Sequence, residues 1–179
     1  VLTPYDIYEI VNYLGTSFDK LLGENIVLRQ NNKITLPYLK MQDKNKYCSF
    51  LDKKGRCKIH SKRPNICRLF PLGRVYKDNT FKYFLQIGNC PKSDLKDVKV
   101  KNWLGIDNYE ENKKFILEWH NFIKALTFRL KFVRDEKEIE EINQILLDNC
   151  YRININNDDN FYSVFIKNLQ QVKNKLGVI

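Results

Sequence analysis

A mainly α fold with short β-hairpins, in which a cysteine-rich metal-binding segment packs on a C-terminal helical unit, is predicted by three features of this sequence. Four of its five cysteines fall between Tyr47 and Pro91, in a stretch broken by turn-forming residues. After Trp103, apolar residues recur every three or four positions through three segments that carry helix-capping residues. A further helix opens at Thr3-Pro4 with its own start signals. The 179 residues, 43% hydrophobic and 13% aromatic, suffice for a real core. They divide into a cysteine-cluster region, 1–100, and a three-helix packing unit, 101–179, expected to form one compact domain.

Taken in order, Thr3 can cap the first helix, Pro4 takes its favoured first position and Asp6 completes a capping-box pattern. Ile7, Ile10, Val11 and Leu14 then share a face, and Gly15 stops the helix. Ser17 to Leu22 reads as a second short helix. Ile26 to Leu28 and Ile34 to Leu36 flank Asn31-Asn32 as a hairpin. Asp52-Lys53-Lys54-Gly55 is a turn signal within the cysteine segment. Pairing Leu51 with Arg56 there would put Cys48 and Cys57 on one hairpin face. Ser61 is a candidate cap for a short helix carrying Cys67 and ending at Pro71. Arg74 to Tyr76 and Phe81 to Ile87 flank Asp78-Asn79-Thr80 as another hairpin, which delivers Cys90 at its exit.

In the C-terminal half, Asp107 with Glu110 is expected to start a helix whose seam is Ile116, Trp119, Ile123, Leu126, Leu130 and Val133. Asp135 with Glu138 starts the next, carried by Ile139, Ile142 and Ile145 or Leu146. Asp158 or Asp159 caps the last, with Phe161, Phe165, Leu169 and Val172 on one face and Gly177 past its end.

The formal charge of +10 is uneven. Residues 1–100 hold 19 Lys and Arg against 9 Asp and Glu, whereas residues 101–179 hold 12 of each. Such an excess suits either an anionic partner or compensation for buried negative charge, and four thiolates are such a charge. No apolar run approaches the length of a membrane span, and no leader-type segment is legible, so the expected compartment is the cytosol. In that reducing setting, an odd number of clustered cysteines reads as metal ligands or redox thiols rather than a disulfide scaffold. The chain begins at Val1 without a methionine, and a natural extension upstream is expected.

Cys48, Cys57, Cys67 and Cys90 are therefore the candidate metal ligands. Their spacings leave eight, nine and twenty-two residues between them, without a CxxC pair, which excludes a zinc finger or ferredoxin run by pattern. The plain alternative is four small, buried, inert side chains, as expected for Cys150. A mononuclear zinc site usually draws two thiolates from one short knuckle, whereas an iron–sulfur cluster accepts cysteines from separate loops. The spacing thus favours a [4Fe–4S]-type cluster, with zinc as the alternative. His60, three residues past Cys57, is a further candidate ligand or proton carrier; His120 reads as a packing residue. Arg63 and Arg68, flanking Cys67, are expected to support the cofactor as donors and compensating charge around the ligands. No Walker loop, GxGxxG or nucleophile–base pattern is legible.

Three blocks carry a family resemblance. They are Leu2-Thr3-Pro4-Tyr5-Asp6-Ile7-Tyr8, then Cys48-Ser49-Phe50-Leu51 with Gly55-Arg56-Cys57-Lys58-Ile59-His60, then Arg63-Pro64-Asn65-Ile66-Cys67-Arg68-Leu69-Phe70-Pro71-Leu72-Gly73-Arg74. Over roughly residues 1–91 the chain resembles the cysteine-cluster (CxxCxxCC-type) zinc- or iron-chelating domains, a family that includes relatives of flagellin lysine-N-methylase. That resemblance implies a metal site and, ahead of Thr3, a further cysteine run that would add ligands upstream of Val1. It leaves three functional readings. The first is a metal- or cluster-binding protein serving redox, sensing or modification of a protein substrate. The second is a lysine N-methylase-like enzyme using S-adenosylmethionine. The third is a nucleic-acid-binding module with a structural metal, using the basic surface from Lys44 to Lys82.

Overall fold

The computed structural model describes residues 1–42, 47–88, 96–153, 155 and 159–178. Helix α1, Pro4–Leu14, opens on the full capping box: the Thr3 hydroxyl accepts from the Asp6 N–H while the Asp6 carboxylate accepts from the Thr3 N–H. Gly15 ends it in the left-handed conformation, φ 59°. Ser17 caps α2, Phe18–Leu21, through the Lys20 N–H. Strands β1, Ile26–Asn31, and β2, Ile34–Leu39, pair antiparallel with Asn31 opposite Ile34. Their turn is Asn32-Lys33, one residue later than the sequence suggested, and both residues take positive φ. That is the backbone of a tight two-residue hairpin whose twist matches the strands.

The segment expected to form a cysteine hairpin makes two isolated bridges instead of strands, Met41 with Cys48 and Leu51 with Cys57. Its register is thus one residue away from the expected pairing of Leu51 with Arg56. The turn itself explains the slip. The Asp52 carboxylate accepts from the Lys54 and Arg56 N–H groups at 2.8 and 2.9 Å, and Gly55 adopts φ 73°. A 3₁₀ turn, His60–Lys62, leads to α3, Asn65–Leu69, which begins at Pro64 rather than on a Ser61 cap. Strands β3, Leu72–Lys77, and β4, Thr80–Leu85, pair around Asp78-Asn79, again both at positive φ. The Phe84 ring covers Gly73 so closely that any side chain there would collide with it.

Helix α4, Val100–Leu104, was not foreseen; α5, Tyr109–Leu130, follows Asn108 without a side-chain cap, so Asp107 does not start it. Helix α6, Glu136–Cys150, is capped by Asp135 as expected. Helix α7, Phe161–Leu176, is capped by Asn160 and ends at Gly177. One apolar cluster joins Ile7 and Ile10 of α1, Ile26 and Ile34 of the first hairpin, Phe50, Ile59 and Phe81 with the inner faces of α5, α6 and α7. On α5 the buried seam includes Phe115 and Phe122, whereas Ile123 is half-exposed. Buried Asn143 of α6 clamps the first hairpin: it accepts from the Thr35 N–H at 2.6 Å and donates to the Lys33 carbonyl at 2.9 Å.

His120 of α5 lies flat on Tyr76 of β3, ring centroids 3.6 Å apart. Burial, with Lys124 adding, holds its imidazole below the ordinary histidine range. The unfolded chain therefore takes the proton more readily, and the stabilisation from neutral His120 is complete above the ordinary value of about 6.5 and lost as pH falls through the folded value. Between pH 7 and pH 5 the protein should lose more stability than a His120→Gln variant. Parallel denaturation curves for the two across that range would refute this.

Candidate metal centre

The three described candidate ligands reach the site by different routes. Cys48 sits where its bridge to Met41 meets a tight turn in which the Leu51 N–H donates to the Cys48 carbonyl at 3.0 Å. Cys57 leaves the Asp52 turn opposite Leu51, and both cysteines pack against the apolar cluster next to buried Phe50 and Ile59. Cys67 occupies the middle of α3. The position of α3 is fixed by Asp6, whose buried carboxylate accepts from the Asn65 N–H at 2.7 Å with one oxygen and from the Thr3 N–H and hydroxyl, each at 2.8 Å, with the other.

The thiols act on one another electrostatically. Burial pushes the Cys67 thiol up to about 11, the negative charges of Cys48, Asp6 and Cys57 add to it, and Arg63 opposes them. The Cys48 thiol is raised by burial, lowered by the Phe50 N–H that donates to it, and raised again by Cys57. Cys150 stands apart in the buried face of α6, where burial pushes its thiol up to about 12. Cys90 lies outside the described residues.

Among the described residues no three His, Cys, Asp or Glu side chains stand close enough to hold one ion together. The donor chemistry nevertheless fits a soft metal: three thiols share one electrostatic neighbourhood, and each would lose its proton more readily beside a cation. His60 is exposed, its Nε2 paired with the Arg63 guanidinium.

The two arginines divide their roles. Arg63 carries the charge that acts on Cys67. Arg68 turns its guanidinium to main-chain carbonyls: Nε donates to Arg63 at 2.9 Å, one terminal nitrogen to Leu104 and Gly105 at 3.1 and 3.0 Å, and the other to Ser61. With the Trp103 indole donating to the Phe70 carbonyl at 3.2 Å, it ties the 3₁₀ turn and α3 to α4. Asp6 as the seat of α3 was the functional residue missed from sequence. In the sequence, an acid at the third helical position reads as serving its own helix alone.

A family model described as "putative zinc- or iron-chelating domain", CxxCxxCC, matches residues 8–99, about half of the chain. Neither the curated proteins nor the solved structures contain a match.

Removing the Asp6 carboxylate strands buried donors of Thr3 and Asn65, at about 1–3 kcal/mol for each one left unpaired. Asp6→Ala should thus lower stability by about 2–4 kcal/mol, clearly more than the ~1 kcal/mol of an ordinary lost helix cap. Urea unfolding measures the difference, and a midpoint unchanged from the parent protein would show that α3 does not depend on Asp6.

Proposed function

The chain belongs to the CxxCxxCC family of zinc- or iron-chelating domains, and from that premise we propose that it holds an iron–sulfur cluster of the [4Fe–4S] type, with zinc as the alternative. Cys48, Cys57 and Cys67 are the proposed ligands, completed by Cys90 and by cysteines ahead of Val1. The observation that carries this reading is that the charges of Cys48 and Cys57 both act on the Cys67 thiol, and that of Cys57 on Cys48, although Cys67 stands on a helix separate from the turns of the other two. Deprotonating them together without a cation is costly, because like charges brought close in a partly buried site repel one another. A cluster also accepts cysteines from separate loops, whereas one zinc ion pulls its sulfurs to about 2.3 Å from a common centre. Once bound, the metal group supplies electron transfer, sensing or support for a modification reaction, in a cytosolic setting where thiols stay reduced.

This chain's own residues then have distinct tasks. The Phe50 N–H donates to the Cys48 sulfur and stabilises its thiolate. Arg63 offsets negative charge at Cys67, and Arg68 holds the backbone on which both arginines and Cys67 stand. Phe50 and Ile59 bury the flank of the site. No helix among the described residues is long and apolar enough to cross a membrane.

Anaerobically purified protein should contain iron and sulfide and show broad visible absorption. Cys48→Ser, Cys57→Ser and Cys67→Ser should each lose most of it, and Cys150→Ser should keep it. Colourless protein with stoichiometric zinc would reverse the choice of metal; protein purified without either would end the metal-site reading.

Metal also contributes to folding where ligands come from a segment with few aliphatic residues of its own. Chelation should therefore speed hydrogen exchange across residues 47–88 well before α5, α6 and α7 lose protection. Uniform exchange in both regions after metal removal would count against that order.

A further inference from the structure

Two shallow depressions of about 580 and 610 Å³ follow one another along one face of α5 and share Asn121 and Lys124. The first lies between Leu117 and His120 of the helix and the hairpin of β3 and β4, whose Val75 and Lys77 form the facing wall. The second continues over Ala125, Phe128 and Lys131. Leu117 to Lys131 is about 21 Å of helix at ~1.5 Å per residue. This face is basic and poor in acids. Between Lys113 and Phe132 the sole acid is Glu118, which turns to Lys173 of α7 at 3.5 Å. Asp78 alone among the lining residues is acidic, and it stands 4.0 Å from Lys77. Lys124 and Lys131 are exposed and form no ion pair among the described residues; Lys131 lies over the Phe128 ring, 5.9 Å from its centroid. Phe128 and Phe132 are 61% and 71% exposed and meet edge to face at 5.3 Å.

Charge selects an anionic occupant, since a second copy of this chain meeting the face with its own would set cation against cation. Shape and the exposed rings select among anions. A bilayer surface is flat and cannot follow the first depression, which the hairpin walls on its far side. An acidic peptide brings carboxylates but no flat ring for Phe128 and Phe132, and in a nucleic-acid duplex the bases are already stacked on one another. A single strand presents a phosphate and an accessible base on every residue, which matches ammonium groups interleaved with exposed rings. We propose that this face of α5 binds single-stranded nucleic acid, with Lys124 and Lys131 contacting phosphates and Phe128 and Phe132 stacking on bases. At a stacked spacing of about 3.4 Å the 21 Å face takes about six nucleotides. Only the hairpin wall falls within the basic stretch from Lys44 to Lys82; the rings and both unpaired ammonium groups come from the helix. The proposal goes beyond metal binding and is independent of which metal the cysteines hold, since no cysteine lines either depression.

Fluorescence anisotropy of a labelled thymidine hexanucleotide, titrated with the full chain as purified, tests this. Affinity should fall as salt rises, each phosphate contact adding about −0.7 to the slope of log K against log salt, and Lys124→Gln and Lys131→Gln should each flatten that slope by the same amount. Phe128→Ala and Phe132→Ala should each weaken hexanucleotide binding about tenfold. Neither should change the weaker binding of an abasic hexamer, which keeps the phosphates and lacks the bases. All four side chains are exposed and none belongs to the cysteine region, so the variants should keep the parent's urea midpoint and metal content. No binding of the hexanucleotide at low salt would overturn the proposal. So would equal affinities for the hexanucleotide and the abasic hexamer, or phenylalanine variants that bind like the parent, since the face would then attract anions in general. Tighter binding of a hexa-aspartate peptide or of phosphatidylglycerol vesicles than of the hexanucleotide would assign the face to that partner and overturn the proposal as well. If protein purified without metal binds the hexanucleotide with the expected ranking, this surface stands while the metal-site reading falls.

Discussion

The buried carboxylate of Asp6 is the interaction on which the arrangement of the site depends. A carboxylate offers only acceptors, and both oxygens of this one are used: one closes the capping box of α1, and the other takes the first N–H of α3. Two helix starts are thereby fastened to one charged group, which neutralises donors that neither short element could satisfy internally. Since α3 has five residues, it has little helical stability of its own and takes its direction from this anchor. Cys67 lies two residues past the anchored N–H, so its sulfur is placed by a residue sixty-one positions earlier in the sequence.

That economy has an electrostatic cost. Burial pushes Asp6 above the ordinary carboxylate range, with the Asn65 and Thr3 donors pulling the other way. Its charge also raises the Cys67 thiol, to which Cys48 and Cys57 add theirs. Ionising the thiols would therefore concentrate negative charge where α1, the cysteine turns and α3 meet. The basic excess of residues 1–100 gains a local meaning from this, because Arg63 opposes that charge directly. Arg68 works differently: its fork spans carbonyls of the 3₁₀ turn and of α4, a geometry that a lysine's single nitrogen cannot reproduce.

Local signals were legible in the sequence where one element decides its own fate. The Thr3 box, the Gly15 stop, the Asp135 cap, Gly177 and the apolar faces of α5, α6 and α7 all follow from neighbours within a turn or two. Both named hairpins were placed from their turn residues, with the first shifted by one position because Asn32 and Lys33 carry the positive φ. The cysteine segment was harder. Its Asp52 turn uses side-chain acceptors to set the register, so Leu51 meets Cys57, and Cys48 arrives from a separate turn rather than along a strand. Asn143 sits in the apolar face of α6 because its amide serves the first hairpin. Like the second task of Asp6, this depends on a partner far away in sequence, which no periodicity encodes.

The same separation of local from distant control bears on how the site is built. Cys48 and Cys57 belong to turns with few backbone bonds, yet Phe50 and Ile59 beside them are 3% and 1% exposed and anchor those turns in the common core. Cys67 rides on α3, held by Asp6 from one side and by Arg68 from the other. Cys48 and Cys57 thus stand on turns joined through Leu51, Cys67 stands on a separately anchored helix, and between the thiols themselves there is only repulsion of their charged forms. The cation proposed to be shared among them would turn that repulsion into attraction and couple the two turns to α3. This is the physical reason that metal binding and the order of the cysteine region belong to one equilibrium.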